Sequence, residues 1–215
     1  MDTVNFQLHF PSSVVLVAPS GMGKTFLTAE IVKRRKEIIE KPIDRVVYVF
    51  NSWQDKLREL KASDPNITFT DRIEDLEEPI KEPTLIIVDD FQQEISKKGR
   101  ANDIITSFFI RRIHHDACVL ILLLQNAFKP LFRDITINSQ YLGIFSQPRD
   151  KGVVISLARQ IMPSQTRFLC EAFERAVTKR KFGYLWMTFH PQDMTSRFWC
   201  RSDIFPTSDC EIYVP

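Results

Sequence analysis

The chain has 215 residues, 44% of them apolar and 26% charged, and a net charge of +2. This is the composition of an ordinary globular protein, and the absence of repeats or low-complexity tracts excludes solenoid and collagen-like architectures. A charge so near balance excludes nucleic-acid binding by global basicity, so any such binding has to come from local basic patches.

The start, "MDTVNFQLHF", is acidic and has no long apolar centre, so no signal peptide is expected. The longest uninterrupted apolar run, Ala117 to Leu124, is eight residues. A helical membrane span needs about 20, so no membrane association is expected. Cys118, Cys170, Cys200 and Cys210 form no C-x-x-C pair. A zinc site and a disulfide framework are therefore not expected, and a reducing intracellular compartment is.

In chain order, "SVVLV" (13–17) is predicted as a strand and residues 23–40 as a helix with Leu27, Ile31, Ile38 and Ile39 on its apolar face. "RVVYVF" (45–50) is a second strand, "WQDKLRELKA" a short helix and "NITFT" (66–70) a third strand. "TLIIVDD" (84–90) and "CVLILLLQ" (118–125) follow as strands four and five. Between them, Ile104, Ile105, Phe108 and Phe109 mark one helix face. Beyond residue 139, "SQYLGIF" reads as a strand, two helical patterns run over 150–161 and 165–178, and "GYLWMTF" (183–189) is a late strand. "EIYVP" is expected as an edge strand at the end. Strands apolar on both sides, separated by amphipathic helices, predict an α/β fold with a mostly parallel sheet flanked by helices on both faces. One or more antiparallel strands are expected at its C-terminal end. No linker-like stretch interrupts the pattern, so a single domain over 1–215 is expected.

The stretch that carries chemistry is "VAPSGMGKT" (17–25), between the first strand and the first helix. It matches the phosphate-binding loop G-x-x-x-x-G-K-[ST] except that Ala18 replaces the first glycine. Such a loop works by aiming successive backbone N–H groups, and the positive end of the following helix, at phosphate oxygens. Gly21 and Gly23 sit where a Cβ is least tolerable, whereas a methyl at the strand end is the mildest departure. The nucleotide-binding candidates are Ala18, Pro19, Ser20, Gly21, Met22, Gly23, Lys24, Thr25 and Phe26. Lys24 is expected to reach the β- and γ-phosphates of ATP, and Thr25 to ligate Mg²⁺ through its hydroxyl.

"TLIIVDD" ends an apolar strand with two carboxylates, which alone would read as a strand-end turn. Following a phosphate loop, Asp89 is expected to hold Mg²⁺ and Asp90 to orient or deprotonate the attacking water. Many ATP-hydrolysing motors carry Glu in the second place, so an Asp must hold the water closer or through a bridge. Gln125 ends the next long strand, at the sheet edge where ligands bind, and is expected to sense the γ-phosphate or the water; Asn126 is the second choice.

The segment "RDITINSQYLGIFSQPRDKGVVISLARQIMP" (133–163), after "HHDACVLILLLQNAF" and followed by "GYL…IFP…YVP", resembles the genome-packaging ATPases of Maverick/Polinton-type elements and adintovirus-like viruses. These belong to the FtsK–HerA superfamily of P-loop NTPases. The resemblance spans most of the chain and implies a Mg-dependent ATPase that pumps double-stranded DNA into a capsid as a homo-oligomeric ring, at an assembly site in the host nucleus or cytoplasm. It matches Lys24 and Thr25 to the phosphate loop, Asp89 and Asp90 to the catalytic carboxylates, and Gln125 to the sensor. Ala18 departs from the family's usual glycine. Ring motors place nucleotide at subunit interfaces, where a neighbour's arginine neutralises charge on the γ-phosphate. Arg133, placed in a loop after the sensor strand, is the first candidate, Arg149 in "QPRDK" the second and Arg159 the third. DNA contact is expected from "SKKGR" (96–100), through Lys97, Lys98 and Arg100, with "RRIHH" and "TKRK" as the other basic clusters. His114 and His115 have no Cys or acidic partner at metal spacing.

Two other classes share parts of this pattern. A nucleotide or small-molecule kinase would need an acceptor insert and an arginine-bearing lid, where this chain continues with core elements. A non-catalytic nucleotide switch would not need intact Lys24, Thr25, Asp89 and Asp90.

Overall fold

The computed structural model describes residues 6–53, 55–126, 132–147, 152–193 and 197–215. Its centre is a nine-stranded sheet in the order β3-β2-β4-β5-β1-β6-β7-β8-β9. The strands are β1 (Ser12–Val17), β2 (Arg45–Phe50), β3 (Ile67–Thr70), β4 (Thr84–Asp89), β5 (Cys118–Leu124), β6 (Tyr141–Phe145), β7 (Tyr184–Thr188), β8 (Cys200–Arg201) and β9 (Ile212–Tyr213). The six strands from β3 to β6 are parallel, and β7, β8 and β9 add on antiparallel.

Helices cover both faces, which is why the central strands read as unbroken apolar runs. Side chains alternate across a strand. In β1, Val15 and Val17 enter a core that contains Ile105, Phe108, Leu157 and Leu169, while Val14 and Leu16 enter a second core with Leu27, Ile31 and Leu57. The first core is made with α5 (Arg100–Ile110), α6 (Arg133–Asn138), α7 (Gly152–Ile161) and α8 (Thr166–Thr178); the second with α1 (Lys24–Lys33) and α3 (Asp55–Ser63). The short helices α2 (Arg35–Ile38) and α4 (Gln92–Ile95) complete the set.

The expected helix over 23–40 is broken. Arg34 leaves helical geometry at φ −102° and ψ 15°, and Arg35 turns inward. The Arg35 guanidinium donates to the carbonyls of Ile43 (2.8 Å), Val32 (2.8 Å) and Asp44 (3.0 Å), and pairs with Asp64 at 2.7 Å. Burying a guanidinium requires this many acceptors, and their placement turns the chain. Arg133 is not in a loop: it opens α6, held by Phe132 and Ile135 in the core beneath it. Strand β8 was not expected, because two residues carry no periodicity. Among the described residues, no helix is long and apolar enough to cross a membrane.

Candidate functional site

The phosphate loop leaves β1 at the carboxyl edge of the parallel strands. Ala18 extends the β1–β5 pairing, its N–H donating to Leu124 O at 3.0 Å, and its side chain is fully buried in the core. A methyl group is therefore accommodated at this position, as the strand-end reading expects. Gly23 caps α1 in the left-handed region at φ +96°, and Gly21 has φ +78°. An L side chain at either would be strained. No side chain caps α1 and its first turn holds no acidic residue, so the free N–H groups of that turn are left for an anion.

Lys24 folds back across the loop. Its Nζ donates to Ala18 O and, at 3.3 Å, to Pro19 O. Burial pushes its pKa down to about 8, against the opposing pull of Asp89 and Asp90. Asp89 ends β4 and is 5% exposed. Burial raises its pKa, while the Tyr48 hydroxyl and Lys24 favour its charged form. Tyr48, on neighbouring β2, donates its O–H to Asp89 Oδ2 at 3.0 Å.

Asp90 has φ +64°, a conformation that Asp tolerates better than most residues. Gln125 Nε2 donates to Asp90 Oδ1 at 3.3 Å. Gln125 itself is held by Gln92, whose Oε1 accepts from the backbone N–H groups of Gln125 (2.5 Å) and Asn126 (3.0 Å). The sensor candidate and the second carboxylate are thus one hydrogen-bonded unit.

These residues enclose a cleft of about 390 Å³ lined by Pro19, Ser20, Gly21, Gly23, Lys24, Thr25, Phe26, Asp89, Asp90, Gln125 and Phe182. Ala18 and Met22 are not in its lining; Ala18 lies in the core and Met22 packs against it. Thr25 and Asp89 offer a hydroxyl and a carboxylate to the same space, an all-oxygen donor set that fits Mg²⁺.

Three contributors were not read from the sequence. Tyr48 acts on the site through one hydrogen bond and Gln92 through two, with no local pattern to mark either. Phe182 follows α8 and reaches the loop from the far end of the chain, at φ +62°. A Cβ at Gly23 would stand 2.8 Å from Phe182 Cβ, so this glycine also makes room for the aromatic ring.

The remaining candidates lie apart. Arg133 and Arg159 are exposed and outside the cleft lining. Arg149 lies outside the described residues. Lys97 and Lys98 are exposed in the turn between α4 and α5, whereas Arg100 is ion-paired with Glu77 through Nε (2.5 Å) and Nη2 (2.6 Å).

The fold has a counterpart among solved structures. The fold is that of a P-loop NTPase. The genome packaging NTPase B204 from Sulfolobus turreted icosahedral virus 2, in complex with AMP, superposes with a TM-score of 0.59 at 15% identity, over 99% of this chain and 99% of that chain. The same NTPase in complex with ATP-gammaS gives 0.57 at 15% identity, over 95% and 98%. The cytoplasmic domain of EssC gives 0.50 at 12% identity, over 68% of this chain and 33% of that one. No family model matches the sequence, and neither does any curated protein.

Proposed function

We propose that the chain is an ATP-hydrolysing motor of the FtsK–HerA type that drives double-stranded DNA into a viral or mobile-element capsid as a homo-oligomeric ring, akin to the packaging ATPases of Maverick/Polinton-type elements. The observation that carries the reading is the convergence of Lys24, Thr25, Asp89, Asp90 and Gln125 on one cleft. The end-to-end likeness to a genome packaging NTPase supports the choice of motor over kinase or switch.

In this reading the N–H groups of the loop and of the first turn of α1 hold the β- and γ-phosphates, and Lys24 leaves the loop carbonyls to pair with them. Thr25 and Asp89 would hold Mg²⁺, which supplies positive charge beside the phosphates when bound. Tyr48 keeps the Asp89 carboxylate oriented. Asp90 accepts a proton from, or orients, the attacking water, and its hydrogen bond to Gln125 lets the same unit register whether the γ-phosphate is present. Phe26 and Phe182 stand at the mouth, 54% and 38% exposed, as flat faces for the nucleotide base.

The test is steady-state ATP turnover by the purified protein, with and without long double-stranded DNA. DNA is expected to stimulate turnover, and Lys24→Ala or Asp90→Asn to lower it at least about a hundredfold. Turnover indifferent to DNA would sink the motor reading and leave a nucleotide switch or kinase.

A further inference from the structure

At the sheet edge opposite the nucleotide cleft, three distant segments meet. His9 precedes β1, Glu40 follows α2, and His190 and Asp193 follow β7. A short bridge fixes the first two: Leu8 N–H donates to Ile38 O (2.6 Å) and Glu40 N–H donates to Leu8 O (2.9 Å). A turn fixes the other two, with Asp193 N–H donating to His190 O at 3.1 Å. Pro191 sits at the second position of that turn, where its fixed φ belongs.

The result is a compact donor cluster. One ligand atom each of His9, His190 and Asp193 lies within 4.8 Å of the others. His9 Nε2 is 3.0 Å from Asp193 Oδ1 and its Nδ1 is 3.2 Å from Glu40 Oε2. The rings of His9 and His190 stack at 4.3 Å. The side chains of His9 and Asp193 are 12% and 8% exposed, and His190 is buried.

His9 therefore faces a carboxylate oxygen on each ring nitrogen. A neutral imidazole has one donor and one lone pair, so both carboxylates are satisfied together only by an imidazolium or by a cation bound at one ring nitrogen. With Glu40 on Nδ1, the arrangement is that of a metal-bound histidine oriented by an outer carboxylate. His190 Nδ1 lies 3.3 Å from the Gln192 N–H, a long contact that metal ligation through this nitrogen would replace. The buried Arg201 guanidinium also acts electrostatically on Asp193.

We propose that His9, His190 and Asp193 bind one divalent transition-metal ion of the zinc class, with Glu40 orienting His9, and that the ion clasps the segment before β1 to the turn after β7. Two imidazoles and a carboxylate suit zinc, and tetrahedral ligation needs ligand atoms about 3.4 Å apart. The His9–Asp193 contact is already near that, and binding would require a shift of His190 to bring its nitrogen from within 4.8 Å to that distance. Ligands so far apart in sequence leave no metal-spacing pattern to find. The inference stands independently of the ATPase reading.

The experiment uses the full chain stripped with a chelator and titrated with Zn²⁺ against a chromophoric competitor, with Co²⁺ as spectroscopic probe. One Zn²⁺ per chain is expected, with tetrahedral Co²⁺ bands, no thiolate charge-transfer band, and a rise in Tm on metal addition. Asp193→Asn and His190→Gln, checked for native circular dichroism, should each weaken binding at least tenfold and lose the Tm shift. Absence of stoichiometric binding, equal binding by both variants, or a thiolate band would overturn the proposal. If His190→Gln does not fold, Asp193→Asn decides alone, because it keeps the side chain's size and its contact with His9.

Discussion

Lys24 shows how one residue sets the pH behaviour of the site. Its pKa stands at about 8 because the loop and α1 remove it from water. An anionic nucleotide favours the ammonium form, so binding above pH 8 takes up a proton. Affinity for ATP should be steady below about pH 7 and fall by up to about tenfold per pH unit above about pH 8, until the bound-state pKa is passed. Calorimetry at about pH 9 in buffers of different ionisation heat should register that uptake; an affinity flat across the range contradicts it. The sign for folding is opposite. Between about pH 8 and the usual lysine value the unfolded chain holds a proton that the folded one has lost, so the nucleotide-free protein gains stability as pH rises there.

At the scale of elements, what was legible in the sequence follows from burial. Strands β1, β2, β4 and β5 are covered on both faces, so their apolar runs are unmistakable, and the loop between β1 and α1 stands out because phosphate binding would demand glycine and lysine at such a fixed spacing. The features that escaped depend on contacts outside the element itself. Helix α1 stops where Arg35 finds carbonyls from Ile43 and Asp44, and Phe182 meets Gly23 only after the sheet has closed. The junction of α8 and β7, which delivers Phe182, is tight. A Cβ on Gly183 would lie 2.6 Å from Val177 O and 2.7 Å from Ala176 O. These are backbone atoms that cannot rotate away. Gly183→Ala is expected to cost about 1–3 kcal/mol, as overpacking does, read as a lower urea midpoint at unchanged slope. A loss below about 0.5 kcal/mol, the range of ordinary surface changes, would show that the junction yields.

At the scale of the whole molecule, a motor reading asks what the single chain lacks. Lys97 and Lys98 are exposed in the turn between α4 and α5, while Arg100 is engaged by Glu77. Replacing both lysines by alanine should leave turnover without DNA intact, weaken its stimulation by DNA, and reduce the salt slope of DNA binding by about 1 per lysine. The cleft poses the larger question. Among the described residues, Lys24 is the only cation in its lining, yet charge develops on the γ-phosphate during transfer. A ring can supply the second cation from the adjoining subunit, and Arg133, exposed at the start of α6, is the first choice. Arg133→Ala and Lys24→Ala should each abolish DNA-stimulated turnover. Mixed in equal amounts before assembly, the two inactive proteins should recover activity, because about a quarter of randomly formed interfaces then join an intact Lys24 to an intact Arg133. A cis-acting Arg133 gives no such recovery, since every chain then carries a broken site. In that outcome Arg159 and Arg149, put through the same mixing, become the residues to decide between.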